Sequence, residues 1–446
     1  MSNPAVAENS AAGLDRGARP ISRVIAGSLK RRYAAERRFK AYGIAAIAFA
    51  VLALGVLFTD IISKGLPAFT RTTVELEVTV DPKVIDPDGT RDPQVLSSAN
   101  YQKLIKDAVM RLFPDVSGRR DERALMNLIS PGATYRLRND VIEAEREGRS
   151  IIGERVTMHV PVADDIDQFN KGHISGDLDE AVRRVSDQQI AWFQNLKERG
   201  LVETAFNTTL FTASDSRSPE LAGIKGALMG SFWTMLVTLV LSFPLAVGAA
   251  IYLEEFAPQN RWTDLIEVNI NNLAAVPSIV FGLLGLAVFL NFFGLPRSAP
   301  LVGGMVLTLM TLPTIIIASR AALKSVPPSI REAAFGVGAS QMQMVFHHVL
   351  PLALPGMLTG TIIGMAQALG ETAPLLMIGM VAFIVDVPNG PLDAATVMPV
   401  QIFLWSDLPE RAFVERASAA IMVLLGFLIL MNALAVLLRR RFEVRW

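Results

Sequence analysis

The sequence contains no cysteine among its 446 residues, which excludes disulfide bonds, thiol chemistry and cysteine-ligated zinc. It also contains no Gly-Lys dipeptide, so the chain cannot form a Walker A loop, which binds nucleotide phosphates. Charged residues are scarce at 19%, against about 25% in soluble domains. Because 42 basic residues balance 42 acidic ones, a globally basic nucleic-acid-binding protein is excluded and no nucleic-acid partner is expected.

Apolar residues are abundant. They make up 51% of the chain and gather into six long stretches. An uncharged stretch of about 20 residues can cross the hydrocarbon core of a bilayer as a helix, whereas the helices of soluble cores are amphipathic. We therefore predict an all-α polytopic protein with six transmembrane helices in a lipid membrane. The stretches are 41–59, 226–253, 268–296 (starting nearer Leu273), 298–319, 352–384 and 417–438.

Residues 64–222 break this apolar pattern. They hold 47 of the 84 charged residues and carry a net charge of −5. A segment of about 150 residues is long enough to bury a core of its own. Its residue patterns predict a soluble α+β domain, inserted between the first and second transmembrane helices. The predicted strands are 73–80, 151–160 and 206–212, and the predicted helices are 94–112, 122–128 and 178–198.

The distribution of Lys and Arg predicts the orientation of the chain. These residues concentrate before the first apolar stretch, after the last one, and between the fourth and fifth. Basic residues in short loops favour the cytoplasmic side, so both termini are expected there and the insertion outside, in the periplasm. The predicted organisation is a basic tail (1–40), a first transmembrane helix (41–63), the insertion (64–222) and a core with five transmembrane helices (223–446).

The segment between the fourth and fifth stretches has the features of a helix-turn-helix. Pro327 and Pro328 suit a helix start, and Gly338 suits a helix end or a sharp turn. A second short helix is predicted at 341–349, stopped by Pro351. The small residues near the turn would let another protein approach this surface closely.

This segment resembles the cytoplasmic EAA loop of ABC-importer permeases: Glu-Ala-Ala, three further residues, a glycine and a later Leu-Pro pair. The sequence departs from the family at His348, where an Ile or Val is usual. The resemblance implies a type I ABC-importer permease core. It also implies that the coupling loop (320–351) docks into a cleft on a separate dimer of ATP-binding ABC subunits. The matching residues are Glu332, Ala333, Ala334, Gly338, Leu350 and Pro351.

Two further segments, 276–283 and 369–376, resemble the PstA-type permease subunit of the phosphate-specific ABC importer. This resemblance covers residues ~220–446, and the insertion resembles one found in a subset of these permeases. It implies phosphate as substrate, a second related permease subunit, a periplasmic phosphate-binding protein and a bacterial inner-membrane location. It implies no cofactor, metal or catalytic residue. Relatives often carry an Arg four residues before the Glu of the second segment, where this sequence has Gln367.

Glu371 is the one carboxylate in the fifth apolar stretch. A charge at membrane depth is costly and faces a bundle interior, a cavity or a charged partner. Gly370 and Pro374 bracket it and weaken the helix, and broken helix is tolerated only inside protein or beside water. Glu371 could pair with an Arg of a partner permease as a gate, accept a hydrogen bond from a phosphate hydroxyl, or form a structural pair. The predicted translocation residues are Gly370, Glu371, Thr372, Pro374, Pro277 and Ser278, although the last two also suit helix packing.

Other functions remain compatible with parts of the pattern. The EAA loop is shared by permeases for sulfate, molybdate and other small solutes. A membrane sensor would use the outside domain to bind a ligand, and a channel or secondary transporter would work without an ATPase. The cytoplasmic parts are short and contain no kinase, cyclase or methyl-accepting region, which argues against a sensor. The EAA loop argues against a channel or secondary transporter, because these have no ATPase to dock.

Overall fold

The computed structural model describes residues 21–177 and 179–442, without the side chains of 21–28, 30, 438 and 442. The ends of both basic segments therefore lie outside the described residues. The chain divides into two compact units after Asp60. The first unit contains most of α1 (Ile21–Gly65), a helix whose side chains are exposed from residue 31 to residue 60.

The inserted domain is built on a three-stranded antiparallel sheet with the order β2-β1-β3. The strands are β1 (Thr70–Thr79), β2 (Arg155–Pro161) and β3 (Val202–Phe206). Val74, Leu76 and Val78 alternate along β1 and are at most 1% exposed. This period of two places one face of the sheet against the core of the domain.

Eight helices complete the described part of this domain. The longer ones pack on the sheet and on one another through apolar side chains. The largest buried side chain among them is Tyr101. Its hydroxyl donates a hydrogen bond to the Leu96 carbonyl over 2.9 Å. The helices are α2 (Pro82–Ile85), α3 (Pro93–Ser98), α4 (Tyr101–Leu112), α5 (Arg119–Met126), α6 (Gly132–Arg146), α7 (Asp164–Asn170), α8 (Asp187–Glu198) and α9 (Thr209–Thr212).

The α+β class is confirmed, but several predicted elements are wrong in detail. The predicted helix 94–112 is two helices, because Asn100 caps α4 by accepting a hydrogen bond from the Lys103 amide. The predicted strand 206–212 is wrong: β3 ends at Phe206, and the Asn207 side chain turns back to donate to the Ala68 carbonyl. The predicted helix 178–198 begins only at α8, and the pattern analysis did not predict α6.

The remaining elements form the membrane region. Five helices of the described chain are long and apolar enough to cross a membrane, or six if one bent pair counts as a span. The elements are α10 (Lys225–Ile251, extended by a π-turn Tyr252–Phe256), α11 (Arg261–Ala274), α12 (Ser278–Leu284, extended by a π-helix Gly285–Phe292), α13 (Pro300–Ser325), α14 (Pro328–Gly336), α15 (Gln341–Gln343, extended by a π-helix Met344–Val349), α16 (Leu350–Gly370), α17 (Ala373–Met377), α18 (Met398–Ser406) and α19 (Arg411–Phe442).

The third predicted span, 268–296, is not one continuous helix. The region is the bent pair, α11 and α12, whose axes differ by 106°. Pro277 stands at the bend in an extended conformation (φ −57°, ψ 138°) and caps α12. Proline has no backbone N–H to continue the hydrogen bonding of α11, so the chain turns there.

The limits predicted for the fifth span, 352–384, are also wrong. The helical segment runs from Gln341 to Gly370, so Pro351 does not stop it. The Leu350 amide donates five residues back, to the Val345 carbonyl, in a widened π-turn. Such a turn eases the clash between the Pro351 ring and the preceding carbonyls. The helix then ends at Gly370, well before the predicted end.

Small residues let the membrane helices approach closely. α13 packs between α10 and α16. A Cβ atom added to Gly304 of α13 would lie 2.5 Å from Val237 of α10, and one added to Gly360 of α16 would lie 2.2 Å from the Cβ of Ala318. Both glycines are therefore needed for the helix–helix distance, as is common in membrane bundles.

Candidate functional site

The predicted coupling loop contains α14, a tight turn and a second helix. Pro327 precedes α14, and Gly338 follows it with φ +86°, in the left-handed region that favours glycine. The next helix begins with a capping box in which Ser340 and Gln343 exchange hydrogen bonds between side chain and backbone. The sequence therefore specifies both ends of the turn locally.

The predicted coupling residues divide between the surface and the interior. Glu332, Ala333 and Gly338 are exposed, whereas Ala334 is 4% exposed and packs into the membrane region. On the continuing helix, Leu350 is half-buried and Pro351 is exposed. No described group pairs with the Glu332 carboxylate, which leaves it open to a partner.

Exposed apolar side chains surround Glu332. They are Phe335 (49%), Val337 (83%), Met342 (57%) and Phe346 (46%). These exposed apolar side chains lie on the two helices of the predicted coupling loop or on the turn between them. His347 and His348 are exposed on the same helix, and among the described residues no cluster of three potential ligands could hold a metal ion.

An ion pair and two hydrogen bonds join α14 to the ends of two membrane helices. The Arg331 guanidinium of α14 lies 2.6 Å from Glu255 in the π-turn that ends α10. It also donates to the carbonyls of Leu323 and Val326 at the end of α13, over 3.0 and 2.7 Å. Because Gln341 donates to the Glu255 carbonyl over 2.6 Å, both arms of the coupling loop bind this one turn of α10. The EAA pattern does not include Arg331; the only signal for the pair is a Glu at the end of an apolar stretch.

A second ion-pair group lies beside it. Arg320 of α13 lies 3.4 Å from Glu254 of α10 and 2.6 Å from Glu267 of α11. Lys324 lies 3.7 Å from Glu254. The C-terminal ends of α10 and α13 and the middle of α11 are thus held together by opposite charges, and the Arg320 and Glu254 side chains are each less than one-fifth exposed.

The predicted translocation segment is a break between α16 and α17. α16 ends at Gly370, Glu371 follows in an extended conformation, and Thr372 caps α17, in which Pro374 is an early residue. The carbonyl of Thr372 accepts from the amides of Leu375 and Leu376. Glu371 is half-buried, and no described group pairs with its carboxylate.

Pro277 and Ser278 lie on the element that packs against this break. They begin α12, and Gly282 in α12 faces α17 so closely that an added Cβ would lie 2.7 Å from the Pro374 Cα. The fold therefore brings the two predicted translocation segments onto adjacent helices. Gly282 is part of this contact, and the residue patterns did not single it out.

A buried polar cluster ties the inserted domain to α19. Glu415 of α19 is 6% exposed, accepts from Gln168 over 2.8 Å and lies 3.4 Å from Lys171. The neighbouring Arg416 donates to the Ala222 carbonyl over 2.7 Å. Glu415 also lies 3.6 Å from the His173 ring. This junction gives His173 a structural role, and sequence spacing alone could not reveal it.

The features above define a polytopic membrane protein with an exposed loop fastened to the ends of two membrane helices and a broken helix in the bundle. Residues 242–444 match the family model described as "binding-protein-dependent transport system inner membrane component", and residues 26–180 match a domain of unknown function, DUF3333. The chain belongs to this family of ABC-transporter permeases and is of the PstA type.

Several curated relatives match about half of the chain. The chain is 32% identical to the probable ABC transporter permease protein YqgI of Bacillus subtilis, over 42% of this chain and 63% of the relative. It is 30% identical to YqgH of the same organism (56% and 81%), and 31% identical to the phosphate transport system permease protein PstA 1 of Mycobacterium tuberculosis (49% and 70%). A solved structure of the MetNI methionine ABC transporter covers 48% of this chain and 95% of its own, at 18% identity and a TM-score of 0.40.

Proposed function

We propose that this permease is one of two membrane subunits of an ATP-driven phosphate importer. An outside phosphate-binding protein delivers the ion, a second related permease completes the pathway, and a dimer of ATP-binding subunits drives alternating access. Both termini lie in the cytoplasm and residues 64–222 lie in the periplasm. Support for phosphate comes from the PstA relatives and from the two PstA-like segments around Pro277 and Glu371.

The observation that carries the proposal is the exposed coupling loop with its internal brace. Glu332 and its apolar surroundings face outward, while Arg331 of the same helix is fastened to α10 and α13. A force applied to α14 from outside the chain therefore reaches the membrane helices directly. A loop of this kind serves a transporter whose energy comes from a partner protein.

The translocation residues have separate roles in this proposal. Glu371 stands at a helix end, without a described partner, and pairs with a cation of the second permease to close the path. Gly370, Thr372 and Pro374 keep the helix broken at that point, and Pro277 with Ser278 starts the helix that packs against it.

Two measurements test the function. First, the chain is purified under mild conditions, and an ATP-hydrolysing subunit is expected to accompany it. Second, uptake of radiolabelled phosphate is measured in a strain that lacks the gene, with and without the gene restored, and with sulfate or molybdate as competitor. Phosphate is supported as the substrate if its uptake returns only with the gene and is not reduced by a hundredfold excess of sulfate. If the gene restores uptake of sulfate or molybdate instead, that ion is the substrate. Phosphate exchange by the purified chain without ATP would refute the whole proposal.

A further inference from the structure

Three phenylalanines form a stack at one edge of the inserted domain. The rings of Phe69 and Phe211 are 6.0 Å apart at 29°, and those of Phe211 and Phe206 are 6.0 Å apart at 7°. Phe69 is partly buried, but Phe211 is 38% exposed and Phe206 is 59% exposed. Large apolar rings stacked in a water-facing patch indicate a surface that contacts something apolar.

Phe69, the partly buried ring of the stack, lies beside the first turns of α19. Phe69 packs on the apolar cluster that contains Phe413 and Ala417 of that helix. The first turns of α19 carry charged residues, and its uncharged apolar sequence begins at Ala417. Gly65, just before the 3-10 turn that carries Phe69, lies so close to α19 that an added Cβ would be 3.0 Å from the Ala419 backbone. This end of the stack therefore lies near the point where α19 passes from charged to apolar sequence, which is where a transmembrane helix enters the bilayer.

A second contact places the stack at the same boundary. Phe211 belongs to α9, and the backbone next to it is hydrogen-bonded to the start of α10: the amide of Ile224 donates to the Leu210 carbonyl over 2.8 Å, and that of Lys225 to the Ala213 carbonyl over 3.0 Å. α10 is uncharged from Gly226 through Leu253. The rings thus stand within a few residues of the entry of two membrane helices, although they belong to the soluble domain.

We propose that Phe206 and Phe211 insert into the boundary between lipid headgroups and acyl chains. Phe69 supports them from behind, and the inserted domain rests on the membrane surface instead of standing clear of it. Interfacial helices place Trp, Phe and Leu on the face that enters this boundary. The exposed rings also lie at the edge of the domain that contacts α10 and α19. A membrane lipid is therefore the partner that fits them. The proposal does not depend on the transported substrate.

The absence of cysteine makes a direct test possible. The variants Phe206→Cys and Phe211→Cys each carry a single thiol, which is labelled with a nitroxide in the full-length chain in nanodiscs of phosphatidylcholine and phosphatidylglycerol. Power-saturation spectroscopy compares collisions with oxygen, which concentrates in lipid, and with a water-soluble nickel chelate. Oxygen collisions are expected to exceed nickel collisions at both positions.

Arg155→Cys is the matched control. Arg155 is exposed and pairs with Thr79 on β1, while Phe206 pairs with Thr70 of the same strand. At about 3.3 Å per residue, the two labels stand ~30 Å apart along one sheet, and the oxygen-to-nickel ratio is expected to invert between them. Equal, water-like ratios at positions 206, 211 and 155 would overturn the proposal. The proposal would also be overturned if those ratios arose because the rings contact another protein in the cell and not lipid.

Discussion

At the residue scale, the proposed role of Glu371 in closing the pathway can be tested directly. Glu371 is half-buried at a helix end, and no described group pairs with its carboxylate. Glu371→Gln keeps the size and removes the charge, and is expected to lower phosphate uptake about tenfold, equivalent to about 1.4 kcal/mol. Gln367→Ala, an exposed change one turn earlier, is the control. Normal uptake by the Glu371→Gln complex at normal abundance would remove Glu371 from the pathway.

Asp164 makes the stability of the inserted domain depend on pH. It lines a cavity of about 600 Å³, and burial, followed by repulsion from Glu220, raises its pKa from 3.8 to about 7, against the attraction of Arg416. The folded state therefore binds the proton more tightly than the unfolded state. The stabilisation is complete below the unfolded pKa and is lost as the pH rises from about 4 through about 7.

Thermal unfolding between pH 5 and pH 8 checks this sign. The wild-type chain is expected to lose stability over that range, and Asp164→Asn, which cannot ionise, should lose clearly less. Asp177→Asn, an exposed change in the same domain, should follow the wild type. An Asp164→Asn variant with the full wild-type pH dependence would contradict the assignment.

At the scale of elements, the turn at Gly338 depends on backbone conformation alone. An added Cβ would meet no atom within 4 Å, but φ is +86°. Gly338→Val is therefore expected to strain the turn by about 1–2 kcal/mol and to reduce capture of the ATP-binding subunit during purification. Gly336 also has open space around it and an ordinary φ, so Gly336→Val should capture that subunit much better. Equal losses in both variants would indicate a steric effect instead.

The Arg331 brace connects three elements. Arg331→Gln leaves Glu255, which is 6% exposed at its side chain, without its cation and removes a donor from two carbonyls. Losing such partners costs about 1–3 kcal/mol, so hydrogen exchange across 328–336 should accelerate and uptake per ATP hydrolysed should fall. Lys324→Gln, whose side chain is 61% exposed, should change neither. If Arg331→Gln and Lys324→Gln give the same exchange rates and the same uptake per ATP, Arg331 does not hold these elements together.

Local patterns predicted the elements that depend on local chemistry. The start of α14 after Pro327 and the turn at Gly338 follow from proline and glycine preferences. The bend at Pro277 and the continuation through Pro351 did not follow, because a proline can break a helix or be absorbed by a widened turn, depending on its surroundings. The contact of Arg331 with Glu255 joins residues 76 positions apart, and a pattern within one segment cannot show it.

At the scale of the whole molecule, the zero net charge is a sum over different regions. Basic residues gather at the two ends, the insertion is acidic, and the membrane helices are nearly uncharged. The insertion is nevertheless continuous with the membrane region: its α7 and the following loop contact the first turns of α19 through Glu415. Movement of α19 during transport is therefore expected to move the inserted domain as well.

Glu415→Gln tests this connection without removing the domain. The variant keeps the side-chain volume but loses the attraction to Lys171, and it leaves the Asp167–Lys171 pair intact. Hydrogen exchange across 164–173 is expected to accelerate, because Lys171 and Gln168 lose their charged partner on α19. Asp407→Asn, an exposed change just before α19, is the control. Removing one partner of a buried ion pair is strongly destabilising, so unchanged exchange in Glu415→Gln would mean that Glu415 does not hold the inserted domain to α19.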